Sequence, residues 1–383
     1  MSADKGDKMG KKRTWRLKPG DFILTILTIA LTVFGIIMVF SASYYYAISE
    51  YGDAYYYLKR EIFWAIGGAI AMLVLSFVHY RIYAKIAPFV FLLSILLLLL
   101  IFTPLGHTAN GATRWLALGP ITIMPGELSK IAAIIFVSWY FTRFAKFATS
   151  LLKGVLPMLV LCGIYGGLII LQPNLSTAIT VCIIIIGILF VAGMKWWHLG
   201  ALIGVGAGAV GALILKGSSE GEGNYWLTRF TSFLDPFQDP LGSGWQVIQS
   251  LLAMGSGGLF GLGLGKSVQK TLYLPEPQND FILAIIGEEL GFIGCIVLII
   301  AYVALIWRCC HIALNAPDRF STLLASGITI MLAVQVILNI AVVTSSMPPT
   351  GIALPFVSYG GNSLLIFMGS MGIMLNISRH SAR

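Results

Sequence analysis

The sequence predicts an all-α polytopic membrane protein with about ten transmembrane helices, cytoplasmic N- and C-termini, and one long extracytoplasmic loop between spans seven and eight. Three observations carry that prediction. Apolar residues make up 57% of the 383-residue chain and charged residues only 11%, a balance that belongs to membrane bundles rather than soluble domains. Apolar runs of membrane-crossing length recur along the chain, and lipid-exposed backbone must satisfy its own hydrogen bonds, which favours helices. Basic residues gather on alternate connections, as the positive-inside rule requires. The net charge of +9 therefore orients the chain in a membrane and is no signal for nucleic acid.

Residues 1–20 form a basic cytoplasmic tail carrying Lys5, Lys8, Lys11, Lys12, Arg13, Arg16 and Lys18. Residues 21–383 read as a single transmembrane domain. The run from Phe22 to about Ala42 is too long for a signal-peptide core and lacks a clear small-residue cleavage site, so it reads as an uncleaved first span. The other expected spans are 61–78, 86–103, 127–145, 154–172, 175–193, 197–215, 280–306, 320–343 and 358–377. The pair at 154–193 is joined tightly by Gln172-Pro-Asn174. The longest, 280–306, is expected to tilt or to extend beyond the bilayer. The seventh carries Gly200, Gly204 and Gly208 at helical spacing, which allows close helix approach.

With the N-terminus inside, 17 of the 25 basic residues fall on the cytoplasmic side. The other eight, Lys59, Arg60, Arg114, Lys130, Lys216, Arg229, Lys266 and Lys270, fall on the outer side; the imbalance sets the orientation. The outer loops are then 43–60, 104–126, a short turn near 173, the long loop 216–279, and 344–357, whose prolines rule out a simple straight helix. Cys162, Cys182 and Cys295 sit in apolar runs and Cys309-Cys310 at a helix end. No outer loop holds a cysteine, so no disulfide framework is expected, and the pair lacks zinc-ligand spacing.

The candidate chemistry concentrates on the outer side. Residues 273–294 begin as a proline-stiffened polar approach and become a strongly apolar helix, with Asp280 at the join and Glu288 and Glu289 inside the apolar part. An ionisable group in such a place is a functional-site hypothesis by default. Asp280 has a structural reading as a helix N-cap and a functional one as a catalyst. Glu288 lies roughly 12 Å deeper along the same helix; a structural buried pair and a functional one both remain open for Glu288 and Glu289. Glu127 and Lys130, three residues apart, share a helix face. They read either as a local ion pair or, with Arg114 and Trp115, as a cationic cradle for an anionic group, since a guanidinium suits bidentate phosphate contact.

In the long loop, Trp245, Ile248 and Leu252 fit one face of a short amphipathic or re-entrant helix. Residues 255–265 include six glycines, read as a loop packed close to the bundle or to a ligand. They are no phosphate-binding P-loop: Gly265-Lys266-Ser267 would need glycine at position 260, where Phe260 stands. The five histidines are scattered singly, no metal-ligand cluster is apparent, and Ser-His-Asp catalysis has no support.

Several long motifs match one family. Arg229-Phe230, Asp235-Pro236, Asp239-Pro240, Gly244-Trp245-Gln246 and Gln249-Ser250 resemble the long extracytoplasmic loop of the SEDS family (shape, elongation, division and sporulation). So do Gly255-Ser-Gly-Gly258, Gly263-Leu-Gly265, Gln269-Lys270, Tyr273-Leu-Pro-Glu276, Asp280-Phe281 and Gly287-Glu-Glu-Leu-Gly291. Thr113-Arg-Trp115, Pro125, Glu127-Leu128, Lys130 and Pro355-Phe-Val-Ser-Tyr-Gly-Gly361 add to the match, which runs in order over nearly the whole chain. The Gln-Lys-x-x-Tyr-Leu-Pro-Glu form looks more like the division and sporulation branch, FtsW and SpoVE, than the elongation branch, RodA. The departures are Asn279 where threonine is usual, Gln172-Pro-Asn-Leu-Ser176 for a motif with aspartate at position 174, Met124 and Gly126 around Pro125, and Asn362 in place of a serine.

The resemblance implies a peptidoglycan glycosyltransferase of the bacterial cytoplasmic membrane that polymerises lipid II on the outer face, in cell division or sporulation. It implies a class B penicillin-binding protein as crosslinking partner, within the divisome or spore-cortex machinery. Asp280 matches the family's essential aspartate and Arg114 and Lys130 its functional basic residues. The chemistry expected is a single inverting displacement with Asp280 as general base and Arg114 and Lys130 on the pyrophosphate, with or without a divalent cation (Mg or Mn). Glu127, Trp115, Gln269, Lys270 and Ser358 are further expected substrate contacts, and Glu288 and Glu289 are expected to be structural or coupling residues. Two rival readings are a lipid II flippase and a non-catalytic divisome scaffold. A transporter should place its polar residues near the midplane in repeated halves; here they gather at one face and no internal repeat is visible. A scaffold would tolerate changes at Asp280 and Arg114.

Overall fold

The computed structural model describes residues 19–109, 112–119, 121–202, 232–242 and 244–381, together with Gly204, Gly206, Gly208 and Gly211. Asp21 starts the first helix, α1 (Phe22–Tyr51). Its carboxylate accepts the Leu24 N–H at 2.9 Å and pairs with Arg308 at 2.6 Å, which satisfies a free helix N-terminal donor and the charge together. α2 (Tyr56–Phe77) and α3 (Arg81–Leu100) follow. α4 (Pro125–Arg143) opens on a proline, tolerated there because the first N–H of a helix has no partner to lose. α5 (Leu156–Ile170) is led in by a π-helical turn, Leu151–Val155. α6 (Leu175–Val191) is capped by Asn174, whose side chain accepts the Thr177 N–H at 3.2 Å.

Four more helices complete the described bundle: α7 (Trp245–Ser256), α8 (Ile282–Leu314), α9 (Arg319–Val343) and α10 (Gly361–Arg379). Nine of the ten expected spans thus have a helix in their place among the described residues. Seven of the described helical stretches are long and apolar enough to cross a membrane. α6, at 17 residues, is shorter, and α4 carries Glu127 and Lys130. The seventh expected span, 197–215, is helical over 196–202 and otherwise falls largely outside the described residues, as do the tail 1–18 and loop positions 216–231.

Three features add detail to the expectations. The outer connection 104–126 holds an antiparallel sheet of β1 (Gly106–Ala109), β2 (Ala112–Leu118) and β3 (Ile121–Ile123) with β2 in the centre. Thr113, Trp115, Ile121, Thr122 and Ile123 are residue types that favour strands once partners lie alongside. Second, the short helix expected around Trp245, Ile248 and Leu252 forms as α7, with Val247, Gln249, Ser250 and Ala253 buried and Leu252 exposed; Ser250 donates to the Val343 carbonyl of α9 at 2.9 Å. Third, among the described residues nothing lies within 4 Å of a Cβ placed on Gly200, Gly204 or Gly208.

α2 lies along α10, α3 against α4, α5 against α6 and α8 against α9. The outward faces carry exposed large apolar residues such as Phe63, Leu73, Phe89, Val297 and Ile300, the surface expected of a bundle in lipid. At one end of the bundle Arg319 donates to the last carbonyls of two helices, Phe141 at 3.1 Å and Ala192 at 2.9 Å, a favourable use of a cation at helix C-termini. All five cysteines are free.

α8 holds the feature that shapes the other end. The helix breaks at Gly291 (φ 70, ψ −169). In an unbroken helix the N–H groups of Phe292 and Ile293 would bond to the carbonyls of Glu288 and Glu289. Instead they bond to Gly258 O at 2.9 Å and Leu259 O at 3.1 Å, and the two freed carbonyls accept from Leu262 N at 2.9 Å and Gly263 N at 3.0 Å. The glycine-rich loop is thus inserted into the hydrogen-bond ladder of α8. A Cβ on Gly291 would lie 2.3 Å from Gly261 N, and one on Gly261 (φ 80) 2.2 Å from Glu289 O, so both positions demand glycine.

The side chains of the same turn lock the following segment. Glu288 accepts from Ser267 Oγ and from the N–H groups of Val268 at 2.9 Å and Gln269 at 3.3 Å. Glu289, fully buried, pairs with Lys270 at 2.7 Å, and both bond to Ser41 of α1. This brace ties α8, the long loop and α1 together.

Two outcomes follow. Gly291→Ala should lower stability by about 3 kcal/mol or more, from the φ/ψ penalty and the clash with Gly261, read by thermal unfolding of the chain in detergent. Lys270→Met should cost about 3–5 kcal/mol because it strands the Glu289 charge. Lys270→Met with Glu289→Gln should be more stable than Lys270→Met alone; simple additivity in a double-mutant cycle would refute the coupling.

Candidate active site

One cleft of about 810 Å³ opens at the end of the bundle where α2, α4 and α6 begin and α9 finishes. Asp280, Arg114, Trp115, Glu127 and Lys130 all line it. These residues are separated by up to 166 positions in sequence and come from three elements, β2, α4 and the approach to α8, with the loop between α9 and α10 also lining the cleft. The sheet holds Arg114 and Trp115 over the cleft. The first turn of α4 supplies Glu127 and Lys130.

Lys130 is 2% exposed. Its ammonium meets Glu127 Oε1 at 2.6 Å and Gln335 Oε1 at 2.8 Å. An ammonium has three donors, so one has no partner among the described residues. The other Glu127 oxygen has no hydrogen-bond partner among the described residues. Arg114 is anchored by Nε to Gln172 O at 3.4 Å and by Nη2 to Pro173 O, carbonyls at the C-terminal end of α5, where the helix dipole is negative. Three of its five N–H donors have no partner among the described residues. Lys59 and Arg60 at the start of α2 also line the cleft. Arg60 bonds to Tyr56 OH at 2.7 Å and stands 5.0 Å over that ring. Burial pushes the neighbouring Tyr359 hydroxyl up to about 12, with Arg60 opposing, so the phenol stays neutral.

Asp280 is not the cap of α8. The capping position is Phe281, and no side chain caps the helix there. The approach is irregular: Glu276 adopts φ 45, its carboxylate accepts Asn279 Nδ2 at 2.8 Å, and Gln278 O accepts the Tyr359 N–H at 2.9 Å. A Cβ built on Gly351 would lie 3.2 Å from Asp280 Oδ2, so the 350–354 loop sits directly against this carboxylate.

Gln269, Lys270 and Ser358 do not line the cleft. Lys270 is 3% exposed in its ion pair with Glu289. Ser358 accepts the Leu354 N–H at 2.8 Å and shapes the turn before α10. Glu288 and Glu289 are likewise off the cleft, in the brace. Among the described residues no group of three or more His, Cys, Asp or Glu is placed to hold a metal ion.

Sequence reasoning missed Gln335 and Asn339 of α9, both buried. Two carboxamides four apart in an apolar span were the available signal, since intramembrane polar groups need a reason. It also missed Glu61 of α2, 1% exposed. Lys59 and Arg60 were legible only as loop charges.

Residues 22–383 match the family of cell cycle proteins that includes FtsW, RodA and SpoVE. The chain is 41% identical to stage V sporulation protein E of Bacillus subtilis (strain 168), over 94% of this chain and 97% of that one. It is 39% identical to a protein of Geobacter sp. (strain M18) named "Probable peptidoglycan glycosyltransferase FtsW", over 95% and 98%. Its fold is similar to a chain of a structure described as "Structural coordination of polymerization and crosslinking by a peptidoglycan synthase complex", with TM-score 0.75 and 30% identity over 95% of this chain and 99% of that one. It is also similar to the crystal structure of the rod shape determining protein RodA of Thermus thermophilus, with TM-score 0.69 and 27% identity over 95% and 98%. A multi-pass membrane bundle with a charged cleft at one end, matched over its length by these relatives, belongs to the FtsW, RodA and SpoVE family.

Proposed function

We propose that the chain is a peptidoglycan glycosyltransferase that polymerises lipid II at the outer face of the cytoplasmic membrane, with Asp280 as general base. The observation that carries the reading is that Asp280, Arg114 and Lys130, from three distant segments, line one cleft at a single end of an apolar bundle. A substrate with a lipid tail in the bilayer and a sugar above it can present its pyrophosphate there.

A sugar hydroxyl of one lipid-linked disaccharide attacks the anomeric carbon of another. The new glycosidic bond forms as the bond to the pyrophosphate oxygen breaks, and the configuration inverts. Asp280 takes the hydroxyl proton. The remaining N–H donors of Arg114 and Lys130 meet the charge that grows on the leaving undecaprenyl pyrophosphate, where preorganised donors lower the barrier most. Glu127 and Gln335 hold the Lys130 ammonium in place. Trp115 offers an aromatic face beside the sugars. A class B penicillin-binding protein fits as partner, because a nascent glycan strand needs crosslinking, and the similarity to a peptidoglycan synthase complex supports that pairing. Division or sporulation is the setting supported by the relatives' names.

Asp280→Ala should abolish polymerisation of purified lipid II by the full chain in phospholipid vesicles, with the melting temperature retained. Lys130→Ala should reduce kcat by about 100-fold, the order of magnitude for one preorganised donor to a developing charge. Polymer formation by Asp280→Ala would overturn the assignment, and translocation of lipid II without polymer would favour the transporter reading.

A further inference from the structure

Gln335 and Asn339 lie one helical turn apart on α9, at positions that share a face, and are 2% and 0% exposed. Buried amides in an apolar span are costly unless their hydrogen bonds are used, and these reach four points around the cleft. Gln335 Oε1 accepts from Lys130 Nζ at 2.8 Å, and its Nε2 donates to Ala353 O at 3.2 Å. Asn339 Nδ2 donates to Ile352 O at 2.6 Å and to Asp280 O at 3.0 Å. The adjacent carbonyls of Ile352 and Ala353 are thereby fixed to one face of α9. The residue before them, Gly351, sits against the Asp280 carboxylate.

We infer that Gln335 and Asn339 are positioning residues that set the placement of Asp280 relative to Lys130, using the 350–354 segment as the spacer. The inference rests on the glycosyltransferase reading above. Neither amide needs to touch the substrate. One side of the clamp fixes the ammonium expected at the leaving pyrophosphate; the other fixes the backbone of the base and the loop that packs against its carboxylate. In a displacement, the nucleophile's proton and the leaving group lie on opposite sides of the anomeric carbon. The base and the cation must therefore be held at a set separation, and a shift near 1 Å costs rate far more than affinity.

A merely structural role for the amides predicts lower stability with unchanged turnover per folded molecule. The clamp predicts a defect in kcat. The test uses the full chain in phospholipid vesicles with purified lipid II, comparing Gln335→Met, Gln335→Glu and Asn339→Leu. Steady-state polymerisation is measured alongside hydrogen–deuterium exchange of peptides covering 276–281 and 350–357. Gln335→Met and Asn339→Leu should lower kcat about 10- to 100-fold with KM within about twofold. Exchange should rise in those two segments and not in α2 or α6. Gln335→Glu keeps an acceptor for Lys130 and loses the donor to Ala353, so it should recover part of the kcat lost in Gln335→Met; it also carries the test if an apolar variant fails to fold. Unchanged kcat, a defect confined to KM, or unchanged exchange in 350–357 would overturn the inference. Should the wild-type chain form no polymer, the glycosyltransferase reading falls, and the exchange measurement alone decides the clamp.

Discussion

A carbonyl freed inside a membrane bundle has no water to turn to, and the break of α8 at Gly291 frees two. Everything at the functional end of the molecule depends on how they are paired. The glycine-rich loop supplies the Leu262 and Gly263 N–H groups to the carbonyls of Glu288 and Glu289, and its own carbonyls take up Phe292 and Ile293. Four loop bonds replace two helical ones, so the break carries no lasting hydrogen-bond deficit. The price is positional: the loop can occupy only one place, and the long connection after α7 is pinned where it crosses the bundle.

That pinning separates three carboxylates that are close in sequence. Glu288 and Glu289 point into the inserted loop and toward Lys270 and Ser41, where charge is neutralised in a dry setting. Asp280 stands before the helix, where an irregular, proline-flanked backbone lines an open cleft. Desolvated carboxylates serve the frame, and the one with access to the cleft is the proposed base. The same division applies to the lysines. Lys270 is bound into the frame, whereas Lys130, equally buried by exposure, lines the cleft with one donor unpartnered among the described residues.

Much of the bundle was legible because lipid imposes simple demands. Apolar length and basic-residue bias located helices at nine expected spans among the described residues. Boundaries shifted where aromatic residues extend a helix past the apolar run, as Tyr44 to Tyr51 do in α1. The sheet at 106–123 was hidden because strands this short are stabilised by their neighbours, here chiefly β2 between its two partners, rather than by their own sequence. The buried side of α7 was not legible from apolar periodicity, because it carries Gln249 and Ser250 and is held to α9 by a serine hydrogen bond.

For the site, sequence alone determined which residues are anomalous: carboxylates, lysines and arginines at the margins of apolar runs, whose desolvation needs a reason wherever they sit. It also placed Asp280, Arg114 and Lys130 on one side, since orientation follows from charge counting. Only the tertiary structure decided which of these anomalies share a cleft and which brace the frame, because Lys270 and Lys130 are indistinguishable until their neighbours are known. It likewise decided the role of Gln335 and Asn339, since an amide declares its partners through geometry and leaves no periodic mark in the chain.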